Sequence, residues 1–128
     1  MDALITNGIK ISVVAHYEPV HSNPVDNRYL YSYLISIENL SEYSVQLLKK
    51  HWFIFDSSGK VKEVEGDGVI GKQPILEPGQ SHEYSSWCPL ATAVGKMHGY
   101  YTMMRLDDRS LFQVGIPAFD LIAPFKLN

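Results

Sequence analysis

The chain has 128 residues, 45% of them hydrophobic and 20% charged, a composition that folds and excludes a disordered polymer. Eleven Lys and Arg against fourteen Asp and Glu leave a net charge of −3, which argues against nucleic-acid binding driven by overall charge. The single cysteine, Cys88, excludes an internal disulfide and a cysteine zinc cluster.

The length fits one domain over residues 1–128. The opening Met-Asp-Ala-Leu-Ile-Thr-Asn-Gly has neither a basic start nor a sustained apolar run. No segment reaches the ~18 apolar residues of a membrane helix. These features predict no leader, no membrane span and a cytoplasmic location. Alternation with period two then dominates, which argues strands. Ile9, Ile11, Val13, Ala15 and Tyr17 alternate with Lys10, Ser12, Val14, His16 and Glu18. Glu18–Arg28 is polar, carries two prolines and reads as one long loop. Tyr29, Tyr31, Tyr33, Ile35 and Ile37 form a second apolar row. Asn39–Ser44 is turn-like; its Asn39-Leu40-Ser41 matches a glycosylation sequon that, without secretion, is read as chance.

Val45–Phe55 follows as a long strand. Its first half alone would suit a helix, but the β-branched and aromatic residues after it favour extended backbone. Asp56-Ser57-Ser58-Gly59 is a hairpin turn, with Lys60–Glu65 as the return strand. Glu77-Pro78-Gly79 is another turn, and Ser81–Ser85 a short strand. Pro89–Val94 suits a single turn of helix, and Met97–Leu106 a long strand. Asp107–Ser110 makes a polar hairpin loop before strands over Leu111–Ile116 and Ala118–Ile122. About eight such strands predict an all-β antiparallel sandwich or barrel. The inward faces expected are Tyr31/Tyr33/Ile35/Ile37, Leu48/Trp52/Ile54 and Tyr100/Met104/Leu106. Lys49, His51, Phe53 and Phe55 share one strand face. Either that face looks outward, as a partly apolar partner surface with a polar rim, or it is the core and Trp52 looks away.

Gly66-Asp67-Gly68-Val69-Ile70-Gly71 matches G-x-G-x-x-G. A dinucleotide site needs a buried strand before this motif and a helix starting within it. Here charged Lys60–Glu65 precedes it and Lys72-Gln73-Pro74 blocks a helix after it. Two readings remain. The glycines supply positive φ in an inter-strand loop, or Gly66, Gly68, Gly71 and Lys72 form a backbone nest for a phosphate, with Asp67 opposing.

His51-Trp52 through Asp56-Ser-Ser-Gly59, then the glycine motif, Gln73-Pro74, Pro78-Gly79 and Tyr84-Ser85-Ser86, resemble the ApaG family. So do Gly95-Lys96-Met97-His98-Gly99-Tyr100 and the run Phe112–Phe119, so that the resemblance spans nearly the whole chain. The length suits a free-standing bacterial member. The resemblance implies an immunoglobulin-like, fibronectin type III-like sandwich and a genetic association with cobalt resistance and magnesium efflux. In eukaryotes the module sits in F-box proteins and a polymerase-interacting protein, which implies protein binding, and the family has no settled enzymatic activity. Its glycine signature falls on Gly66, Gly68 and Gly71, and its aromatic marker on Trp52. Many members carry proline or a small residue where Asp67 stands, which weakens a phosphate role here. Trp87 falls where members more often carry a small or polar residue.

Among the histidines His16, His21, His51, His82 and His98 no H-x-x-x-H pair occurs, so no metal ligand set is assigned, although His16 and His21 could meet in space. A catalytic Cys88 would need a nearby base, for which His82 and His98 are the candidates, and it reads more simply as a small buried thiol; Ser85-Ser86 lacks a nucleophile elbow, and no catalytic residue is assigned. The expectation is a non-enzymatic, cofactor-free binding module that recruits a protein partner through Lys49, His51 and Phe53. Its link to cation efflux is then indirect. The alternative is a sensor with a weak phosphate or divalent-ion ligand at the glycine loop. Neither nucleic acid nor membrane is an expected partner, and the chain is expected as a monomer or an edge-paired homodimer.

Overall fold

The computed structural model describes residues 2–126. Its strands are β1 (Asp2–Thr6), β2 (Ile9–Tyr17), β3 (Tyr29–Asn39), β4 (Val45–Asp56), β5 (Val61–Asp67), β6 (Ile75–Leu76), β7 (Ser81–Leu90), β8 (Val94–Arg105) and β9 (Leu111–Ile122). One sheet runs β1-β2-β3-β7 and the other β5-β4-β8-β9, with β6 pairing to β4 beyond the end of β5. Every strand pair is antiparallel. Two such layers packed face to face make an immunoglobulin-like, fibronectin type III-like sandwich.

The two rows read from the sequence pair directly, Ile11 opposite Ile37 and Val13 opposite Ile35. Their inward members Ile9, Ile11, Ile35 and Ile37 are 0% exposed. From the second sheet Trp52, Met97, Tyr101, Met103, Val114, Phe119 and Leu121 complete the core. Trp52, Tyr33 and Phe119 meet at its centre with ring centroids 5.4–6.0 Å apart.

Several expectations change. β1 is an additional strand: Asn7-Gly8, both at positive φ, forms the two-residue turn that joins it to β2. The helical turn expected over Pro89–Val94 does not form: Leu90 ends β7, Ala91–Ala93 bend, and Val94 opens β8. The Ala93 carbonyl instead accepts from the Tyr31 hydroxyl at 2.7 Å and the Ala123 N–H at 3.0 Å. Ser81–Ser85 extends to Leu90. Leu111–Ile116 and Ala118–Ile122 are one strand. Pro117 and Ala118 lie in a bulge opposite His98, where a missing N–H is tolerated.

The inward face of β8 is Met97, Tyr101 and Met103 in place of Tyr100, Met104 and Leu106. Both parities of β8 are apolar, so alternation cannot choose between them. Leu48 is not a core position either: it is the extra residue of a bulge between Leu47 and Lys49. Past that bulge Trp52 turns inward and is 3% exposed.

One side of the sandwich is closed. The Thr6 hydroxyl accepts from the Gly115 N–H and the Asn7 side-chain amide donates to the Gln113 carbonyl, tying β1 to β9. On the other side, among the described residues, no backbone hydrogen bond joins β5 to β7.

Candidate functional site

With Trp52 in the core, Lys49, His51, Phe53 and Phe55 lie on the outer face of β4. The register sets His51 opposite Tyr100, Phe53 opposite His98 and Phe55 opposite Lys96. The rings zigzag across the two strands as one stack. Tyr100 lies 5.1 Å from His51, His51 4.6 Å from Phe53, Phe53 5.0 Å from His98, and His98 5.3 Å from Phe55. Interplanar angles of 20–27° make every contact face to face. The three inner rings, His51, Phe53 and His98, have a stacking neighbour on both faces.

Acids flank this ladder. On β5, Glu65 stands opposite His51 and Glu63 opposite Phe53. His51 Nδ1 lies 3.1 Å from a Glu65 carboxylate oxygen and 3.2 Å from the Tyr100 hydroxyl. The hydrogen bond here is the one between Nδ1 and the Tyr100 hydroxyl, with the donor set by the His51 tautomer, while Glu65 stands at ion-pair distance. Beyond His98, Ala118 and Asp120 of β9 border an open depression with Lys96. Lys49, His51 and Phe53 are thus brought together on one surface. Sequence reasoning missed that β8 supplies His98 and Tyr100 to it, because that depends on the register of β4 with β8. Gly99 permits the register: a Cβ there would stand 2.1 Å from the His51 carbonyl oxygen.

The glycine residues lie elsewhere. Gly66 is in β5 opposite Lys50, and β5 leaves β4 after Asp67. Val69 and Lys72 exchange backbone hydrogen bonds of 2.8 and 3.1 Å around Ile70 and Gly71. Both central residues have positive φ, 48° and 72°, as a type I′ hairpin tip requires. The Gly68 N–H and the Gln73 side-chain amide both donate to the Leu48 carbonyl, at 2.8 and 3.0 Å. The glycine segment therefore complements the β4 bulge, satisfying a carbonyl that the ladder leaves free. The N–H groups of Gly68, Val69 and Lys72 are all donated within the chain. No helix follows Gly71, so the dinucleotide arrangement is excluded.

Cys88 is 2% exposed, and burial pushes its thiol up to about 11, with Lys62 opposing the shift. His82 is six residues away on the same strand, roughly 20 Å, and His98 is on the outer face of the other sheet. His21 packs edge-on against Trp87 at 5.7 Å, and Trp87 is 54% exposed. Among the described residues no three His, Cys, Asp or Glu side chains are grouped to hold a metal ion. Asn39 is 0% exposed, so its sequon is sterically closed to a glycan. No helix among the described residues is long and apolar enough to cross a membrane.

An antiparallel sandwich carrying an aromatic ladder, with a glycine hairpin where a phosphate-binding helix would start, defines an immunoglobulin-like β module distinct from the nucleotide-binding α/β class. A family model described as the ApaG domain matches residues 19–105, and the chain belongs to the ApaG family. Protein ApaG of Brucella abortus (strain S19) is 46% identical over 124 residues, covering 97% of this chain and 95% of that protein. Protein ApaG of Sinorhizobium fredii is 47% identical over 120 residues, covering 94% of this chain and 92% of that one. A crystal structure described as a putative ApaA protein from Bordetella pertussis aligns with a TM-score of 0.88 at 38% identity, over 91% of this chain and 94% of that one. None of these names states a reaction.

Proposed function

We propose that the chain is a non-enzymatic binding module that docks a protein partner on the outer face of β4 and β8. The observation that carries this reading is the five-ring ladder. Stacking on a rigid sheet fixes the rings in advance, so a partner that covers them pays little ordering entropy. Aromatic rings with a polar border are the usual anchors of protein interfaces. The border carries Glu63 and Glu65 on one side and Asp120 on the other, with Lys49 and Lys96 at its ends, so acids prevail and the matching segment carries Lys or Arg opposite them. The buried thiol of Cys88, without a histidine in reach, supports a non-catalytic role. On this reading the influence on cobalt and magnesium resistance that the family resemblance implies is exerted through the partner.

A photo-cross-linking phenylalanine analogue at position 53 tests it in living cells, with position 36 on the opposite sheet as control. The expected result is one adduct at position 53 that is lost on reversing the border with Glu63→Lys and Glu65→Lys. No adduct, or one indifferent to the reversal, would refute it.

A further inference from the structure

We propose that the open side of the sandwich, between β5 and β7, binds a small organic anion: an acidic head held by Lys50 and Lys62, with a compact apolar body in the cleft behind them. The cleft holds about 180 Å³. That exceeds the roughly 150 Å³ that accommodates a benzene ring and falls short of the roughly 300 Å³ at which pockets for drug-sized ligands begin. Its apolar walls include Trp52, Ile54 and Val64, and the Ser86 side chain adds a hydroxyl, while the Tyr84 hydroxyl is engaged with that of Tyr101.

The charge of the cleft follows from the pleat of β5. Successive residues face opposite ways. Lys62, Val64 and Gly66 lie on the inner side, opposite Ile54, Trp52 and Lys50, while Glu63 and Glu65 lie on the outer side. One strand thus sorts its acids to the ladder and its lysine to the cleft. No Asp or Glu lines the cleft, and among the described residues neither Lys50 nor Lys62 has a carboxylate within 4.0 Å. Two uncompensated ammonium groups beside low-dielectric walls attract an anion more strongly than they would in open solvent.

Ile70 supplies a second, independent observation. It lines the same cleft, is 57% exposed, and has φ +48°. A β-branched residue in that conformation is strained, and Asn or Gly would fill the turn without strain. An exposed apolar side chain kept at a strained position is explained if it closes over an apolar ligand. Lys50, Lys62 and Ile70 face away from the ladder, so this site and the protein-docking surface stand or fall separately.

The test is titration of the full chain with benzoate, phenyl phosphate, inorganic phosphate and benzyl alcohol, followed by amide NMR shifts. Benzoate or phenyl phosphate should give saturable millimolar shifts at Val64, Ile70 and Ser86. Binding should weaken about tenfold or more for inorganic phosphate, for benzyl alcohol and for the Lys50→Gln/Lys62→Gln double variant. Ile70→Asn should melt higher yet bind more weakly, a pairing that a purely structural role would not produce. No saturable shift at these amides with either aromatic anion, unchanged affinity in the double variant, or equal affinity for inorganic phosphate would overturn the proposal.

Discussion

Alanine substitutions along the glycine motif separate ordinary strand backbone, left-handed strain and steric conflict at three positions within six residues. Gly66 has ordinary strand φ, and its added Cβ would meet only Lys50 Cε at 3.7 Å, an ordinary contact. Gly66→Ala should therefore change stability by no more than about 0.5 kcal/mol, since Ala is favoured over Gly in extended backbone. Gly71 has φ +72° with nothing within 4 Å of a Cβ, so Gly71→Ala meets left-handed strain alone, about 1 kcal/mol. Gly68 combines φ +64° with a Cβ that would stand 2.3 Å from the Lys72 carbonyl oxygen. Relieving that contact breaks the Val69–Lys72 hydrogen bonds and draws Val69, 1% exposed, out of the core. Strain of about 1–2 kcal/mol plus two lost bonds of about 1 kcal/mol each puts Gly68→Ala at about 3–4 kcal/mol. Urea denaturation measures all three, and at this chain length the last should lower Tm by roughly 10 °C. Equal losses at Gly68 and Gly71, or the largest loss at Gly66, would refute the assignment of the motif to a hairpin that complements the β4 bulge.

Two further perturbations test the core. The Asn39 side-chain amide donates to the Tyr43 and Leu76 carbonyls at 2.7 and 3.0 Å, and its oxygen accepts from the Ser41 N–H and hydroxyl. Asn39→Ala should lose about 2–3 kcal/mol in chemical denaturation, because the buried Leu76 carbonyl is left unpaired, and Asn39→Asp should lose more, by setting a carboxylate against two carbonyls. Burial raises Cys88 from 9.0 to about 11 and Tyr31 from 10.0 to about 12. Both groups are neutral in the fold, so their contribution is complete below pH 9.0 and is lost as pH rises through the windows 9.0 to about 11 and 10.0 to about 12. Tm should hold steady from neutral pH to 9.0 and fall above it, with Cys88 unreactive to thiol reagents at neutral pH in the folded chain. A Tm indifferent to alkali, or rapid labelling, would contradict the buried placement of these groups.

Much of the fold is legible in the sequence because half-buried strands write their orientation into alternate residues. Ile9–Tyr17 shows it: the expected strand and the observed one have the same bounds. The Asn7-Gly8 turn signal for β1 is equally present in the sequence, but Asp2–Thr6 shows no alternating row beside it. β8 was legible as a strand but not as to its face, since Tyr100 and Tyr101 or Met103 and Met104 serve either side. Leu111–Ile116 and Ala118–Ile122 read as two strands on either side of Pro117, and only the partner strand shows that a bulge absorbs the proline. The candidate surface was half legible. Lys49, His51 and Phe53 share a face by simple alternation, but which way that face points depends on the Leu48 bulge.

By itself the sequence determined the class of fold, the rows that build the β2–β3 half of the core, and the failure of the glycine motif to open a helix. These are local consequences of side-chain period, turn chemistry and proline. Only the tertiary structure decided that His98 and Tyr100 join His51, Phe53 and Phe55 in one stack, and that Lys50 and Lys62 look into a cleft that no acid lines. Those juxtapositions come from strand register and from the displacement that one extra residue introduces, and both are set by pairing with distant parts of the chain.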